Sequence, residues 1–110
     1  MNLEQERRDD VLILRPRGRL DSSSSPELER VVVEQIDTGI QRLVFDLSAL
    51  DYISSAGLRV VLLAGKKLRA SKGKLVLVGL RDMVREVFDM SGFLSLFTVT
   101  ATLDEGLAKV

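Results

Sequence analysis

Cysteine and histidine are both missing from the 110 residues, and these two absences remove most of the ways a small domain does chemistry. Without cysteine there is no disulfide framework and no thiolate nucleophile, which fits a reducing compartment. Without histidine, the commonest general base near neutral pH and the commonest metal ligand are gone. Any catalytic scheme then rests on carboxylates, lysines and hydroxyls. An excess of either charge is lacking too: 16 Lys and Arg against 16 Asp and Glu give a formal net charge of zero. Such a balance argues against nucleic acid or an anionic membrane surface as partner. No apolar run approaches the roughly 20 residues of a spanning helix, and the opening MNLEQERRDD lacks the apolar core of a signal peptide. The expectation is one soluble cytoplasmic domain over residues 1–110, with no membrane partner.

What is present alternates between two periods. Leu3 to Arg7 reads as an edge strand and Val11 to Arg15 (VLILR) as a strand covered on both faces. Pro16, which cannot donate to a ladder, marks the end of that strand or an edge position. Four serines, Ser22 to Ser25, precede Pro26, a favoured first residue of a helix. They read as a flexible loop and cap. Leu28, Val32 and Ile36 form the buried stripe of that helix and Gly39 ends it.

Leu43 to Leu47 is a second buried strand, followed by a polar break through Ser48 and Asp51. The pair Ser54-Ser55 stands before a long periodic segment, where a side-chain oxygen can accept from the free N–H groups of a first helical turn. Leu58, Val61, Leu62, Gly65 and Leu68 recur at helical spacing. Lys66, Lys67 and Arg69 suit the negative end of the dipole, and Gly73 offers a left-handed exit.

Lys74 to Val78 returns as a buried strand. A shorter helix runs from about Arg81 to Ser91-Gly92 with Val84, Val87 and Phe88 inward, Leu96 to Thr100 is a last strand, and Thr102 with Glu105 has capping-box spacing before a final helix. Strands alternating with helices predict an α/β fold, a sheet with parallel crossovers and helices packed on it.

Several chemistries fail on spacing. Gly65-Lys66 resembles the end of a phosphate-binding lysine loop, but the first glycine position is Val60 and the hydroxyl position is Lys67. A phospho-aspartate receiver needs acidic residues at the end of its first buried strand, where this chain has Arg15, Pro16 and Arg17. Asp46 and Asp51 could still approach each other near the central strand, although loop carboxylates are usually solvated or capping and no metal is expected. A serine nucleophile needs a base in reach, and Lys66 is about three helical turns, roughly 16 Å, from Ser55. No catalytic residue and no cofactor is expected, and the chain reads as a non-enzyme.

Ser55 is more plausible as a substrate. A phosphate there adds nearly two negative charges. Beside a helix N-terminus that is favourable by a few tenths to about 1 kcal/mol, so its effect falls on whatever docks at that surface.

Four motifs, Gly18-Arg19-Leu20-Asp21, VFDLSALDY from Val44 to Tyr52, ISSAGL from Ile53 to Leu58, and FDMSGF from Phe88 to Phe93, together resemble the STAS-domain anti-sigma factor antagonists of bacteria. The resemblance covers nearly the whole chain. It implies a single STAS domain: a small mixed sheet, mostly parallel with an antiparallel N-terminal strand, packed with about four helices. It further implies a partner switch. The unphosphorylated antagonist binds an ATP-dependent anti-sigma factor serine kinase and frees the sigma factor; the kinase phosphorylates its serine, and a PP2C-type phosphatase resets it. The family motif, Asp-Ser-Ser/Thr-Gly-Leu, places the acceptor at Ser55, with Ser54 as the alternative. Asp21, Ser54, Ala56, Gly57, Leu58 and Arg59 would form the partner-binding surface. Ser54 stands where the motif has aspartate, Ala56 where it has a second hydroxyl, and Arg59 where glycine is usual. The alternative reading is an unphosphorylated STAS subunit of a transporter or other signalling assembly.

Overall fold

The fold was obtained as a computed structural model that describes every residue from Met1 to Val110. Six strands and four helices follow in order: β1 (Asn2–Arg8), β2 (Val11–Leu20), α1 (Ser25–Asp37), β3 (Arg42–Asp46), β4 (Leu50–Ile53), α2 (Ser55–Ala70), β5 (Lys74–Val78), α3 (Asp82–Met90), β6 (Thr98–Thr100) and α4 (Leu103–Lys109). The sheet runs β1-β2-β3-β5-β6, with β4 pairing β2 beyond the end of β3. Only β1 is antiparallel. This is the mixed α/β architecture that the alternating pattern predicts.

Strand alternation sorts the core by residue shape. Leu12 and Leu14 of β2, Leu43 and Phe45 of β3 and Leu77 of β5 face one side, where they pack with Leu28 and Val32 of α1, Val61 and Leu68 of α2, and Phe88 of α3. The intervening positions, Val11, Ile13, Val44, Val76 and Val78, face the other side and form a smaller cluster with Leu103, Leu107 and Val110 at α4. Strands buried on both faces need no polar alternation, which is why VLILR and KLVLV are continuous apolar runs. Phe88 is fully buried and meets Phe97 edge to face, ring centroids 5.9 Å apart.

Three expectations change and one is decided between its alternatives. Of the two readings of Pro16, the edge position holds and the strand end does not, since β2 continues to Leu20. β3 leaves off opposite Leu14 and β4 begins opposite Gly18, so at Pro16 only β1 is alongside and the missing donor costs the sheet little. The polar break after Leu47 contains a fourth strand, Leu50–Ile53, whose ends Leu50 and Ile53 are buried while Asp51 is exposed. The last strand is shorter than expected, because Leu94–Leu96 turns as a 3-10 helix.

Gly73 is not the left-handed exit of α2. Lys72 takes that conformation with φ of 62°. At Gly73 the need is room, since a Cβ would lie 2.4 Å from the Gln41 carbonyl oxygen.

Candidate functional site

The site is assembled where β2 and β4 end side by side. Leu20 is opposite Ile53 in the parallel register, and the Ser54 N–H donates to the Leu20 carbonyl at 2.8 Å. That bond brings the Asp21 loop against the start of α2. The hydroxyls divide the work there. Ser54 is the N-cap, in extended conformation, and its Oγ accepts from the Gly57 N–H at 3.3 Å. Ser55 is the first helical residue; it is exposed, and its hydroxyl makes no hydrogen bond within the chain. The capping role shared between the two serines in the sequence reading therefore belongs to Ser54 alone. Aspartate and serine are comparable N-caps. Ser54 in place of the motif aspartate thus keeps the cap and removes one negative charge beside Ser55.

Ala56 is half-buried and Arg59 exposed. Gly57 and Leu58 are buried and present no side chain to a visitor. Gly57 is there for contact: an added Cβ would lie 2.8 Å from Leu20 Cγ and 2.9 Å from Ile53 Cγ1. The absence of a side chain lets α2 start directly on the ends of β2 and β4. Leu58, 6% exposed, belongs to the main core. Both shape the surface from beneath.

Asp21 is occupied by its own loop. Its Oδ1 accepts from Ser23 Oγ at 2.7 Å, the Ser23 N–H at 3.0 Å and the Ser24 N–H at 3.2 Å. These donors, the Ser23 hydroxyl first and the two N–H groups after it, lower its pKa from 3.8 to about 2. Ser24 Oγ accepts from the Asp21 N–H and donates to the Arg19 carbonyl, both at 3.0 Å. The serine run expected as a flexible loop is a hydrogen-bonded turn.

Asp46 and Asp51 are engaged separately. Asp46 is nearly buried, with Oδ1 accepting from Ser48 Oγ at 2.6 Å and Oδ2 from Arg15 Nε at 2.8 Å. Burial pushes its pKa up, but the bonds from Ser48 and Arg15 outweigh that and hold it below the ordinary value. The same hydrogen bond raises Arg15. Asp51 pairs with Arg81 at the start of α3, tying that helix to β4. The remaining rim is Arg19 on β2, its guanidinium 4.2 Å above the ring of Tyr52 in the adjacent strand. Neither this stack nor the Asp51–Arg81 pair was visible in the sequence, because both depend on the register between β2 and β4 and on where α3 docks.

The face is an open surface with one free hydroxyl at the mouth of a helix, and two cavities of about 620 and 510 Å³ lie elsewhere. The sequence profile of the STAS domain matches residues 2–106. The chain belongs to the STAS domain family. It is 47% identical over 108 residues to BtrV of Bordetella bronchiseptica, a protein named as an anti-sigma factor antagonist; the match covers 98% of this chain and 93% of that one. Among solved structures, an anti-sigma factor antagonist from Mycobacterium paratuberculosis superposes with a TM-score of 0.90 at 27% identity, covering 99% of this chain and 92% of that one. A Thermotoga maritima chain named for the same activity gives 0.94 at 23% identity, covering 98% and 93%, a likeness of fold. No helix of this STAS domain is long and apolar enough to cross a membrane.

Proposed function

We propose that this STAS domain is an anti-sigma factor antagonist, docking through the surface around Ser55 onto an ATP-dependent anti-sigma factor serine kinase and released when that kinase phosphorylates Ser55. A PP2C-type phosphatase restores the docking form. The observation that carries the reading is the state of Ser55: exposed and hydrogen-bonded to nothing in the chain, in the turn that Ser54 caps. Ser54 is half-buried and its Oγ is committed to Gly57, so it is the poorer acceptor.

The energetics suit release better than unfolding. A phosphate on Ser55 faces the positive end of α2 and has Arg59 one turn along, at the i+4 spacing that favours ion pairs. Arg59 is exposed and forms no ion pair in the chain. Within the domain the modification is mildly stabilising. Against a carboxylate or bound nucleotide phosphate of the partner, about 4 Å away at an effective dielectric of about 20, repulsion reaches about 4 kcal/mol per pair of unit charges. Each 1.4 kcal/mol is about tenfold in affinity, so one phosphate suffices to free the complex. Asp21 acts by holding the adjacent turn in shape.

Incubation with the cognate kinase and ATP, followed by phosphosite mapping, tests the reading. Label is expected on Ser55, with loss of labelling in Ser55→Ala. No incorporation, together with kinase binding unchanged in Ser55→Asp, overturns it.

A further inference from the structure

At the far end of α2 a half-open groove of about 510 Å³ lies between α2, the start of β5 and the 3-10 turn Leu94–Leu96. It exists because β6 first pairs with β5 at Val76, leaving Leu75 with no strand on that side. Leu62, Leu75, Leu96 and Phe97 line it, and Leu96 is 55% exposed. Gly65 keeps it open, since a Cβ there would lie 3.2 Å from the Phe97 ring and 3.6 Å from Leu75.

The rim carries Lys66, Arg69, Lys72 and Lys74, all exposed, and no carboxylate lines the groove. None of the four is in an ion pair, whereas Lys67 on the neighbouring face is held by Asp37 at 3.3 Å. The helix dipole accounts for cations in the last turn of α2. It does not account for Lys72 and Lys74, which lie beyond the helix, nor for the missing acids in a chain of zero net charge.

From this charge complementarity we infer that the groove is a second docking site, one that takes an acidic amphipathic helix of a protein partner. Apolar side chains of such a helix fill the leucine and phenylalanine floor, and its flanking carboxylates meet the rim. Cations spread over three segments, α2, the turn after it and β5, match several carboxylates along a helix better than the single headgroup of a small amphiphile. The groove begins at Leu62, roughly 10 Å from Ser55 by helical rise, and its cations start at Lys66, roughly 16 Å away. It extends the docking reading by a surface that phosphorylation does not gate.

The test uses the full chain and a labelled 16-residue peptide with leucines at helical spacing flanked by glutamates, followed by fluorescence anisotropy. A peptide of the same composition with scrambled order and sodium dodecanoate serve as rivals. The amphipathic peptide is expected to bind about tenfold tighter than the scrambled one. Lys66→Glu with Arg69→Glu should weaken it about tenfold or more, and Leu96→Ser, at an exposed position, severalfold. Ser55→Asp should bind it like the unaltered chain, so a failed kinase assay and a failed groove assay remain separable. Equal binding of the scrambled peptide, indifference to the charge reversals, loss of binding in Ser55→Asp, or displacement by dodecanoate at lower concentration than the peptide each overturns the inference.

Discussion

The two ends of α2 are built on opposite plans. At its N-terminus the groups of cap and loop have partners: Ser54 caps, Asp21 collects donors from its own turn and Asp51 holds Arg81, while the Ser55 hydroxyl and the Arg59 guanidinium are left over. At its C-terminus four cations have no ion-pair partner and the outer face of an apolar floor is uncovered. A region whose cap and loop are satisfied, with one hydroxyl exposed, can be changed by modifying that hydroxyl without disturbing the fold. A region of unpaired cations around an apolar floor responds instead to what is placed on it, and to salt. On the proposed reading, one helix thus offers a gated surface and an ungated one.

The largest effect expected is at the gated end. Ser55→Asp should weaken the kinase complex by a hundredfold or more, about 3 kcal/mol, while its thermal stability stays within about 0.5 kcal/mol of the unaltered chain. Isothermal titration beside a melting curve reads both. A large loss of stability would erase the contrast between the two ends.

Next is Gly57→Ala, whose methyl must enter space now filled by Leu20 and Ile53. Overpacking of this kind costs about 1–3 kcal/mol, measured by denaturant unfolding. Gly65→Ala meets only a ring edge at 3.2 Å and gains helix propensity, so its cost should be smaller. Equal costs would mean that both ends of the helix approach their neighbours equally closely.

Ser54→Ala removes the cap and should cost about 1 kcal/mol, with Ser54→Asp near neutral. Such a result would establish that serine serves here where the family motif carries aspartate.

The smallest expected effect is in acid. Asp21 has its pKa lowered from 3.8 to about 2. Its charged form is favoured by the fold, so its contribution is complete above about pH 4 and is lost as the pH falls through about 2. Unfolding midpoints from pH 5 to 2 should fall less steeply in Asp21→Asn than in the unaltered chain. Parallel curves would place the loop's order in the backbone bonds of Ser25 instead.

Much of this was legible in residue order. Val11 to Leu14 announces its strand as an unbroken apolar run, Leu58, Val61 and Leu68 announce their helix by period, and Thr102 with Glu105 forms the predicted cap, the Glu105 N–H donating at 3.2 Å. β4 escaped because four residues with an exposed aspartate in the second position have no period to read. Pro16 left two readings open because its tolerance depends on which neighbours β2 has at that point. Gly73 and Lys72 were exchanged because crowding by the Gln41 carbonyl is a contact between residues distant in sequence.

Residue order by itself determined the alternating elements, the neutral charge, the absence of sulfur and imidazole chemistry, and the serine pair before a helix, since each follows from side-chain type and local spacing. Only the tertiary structure decided which serine caps and which stays free, that Gly57 and Leu58 lie under the surface, and that four cations gather around one groove. Those outcomes depend on the register of β2 with β4 and on where β6 begins, and both are set by pairings between distant segments that local spacing does not encode.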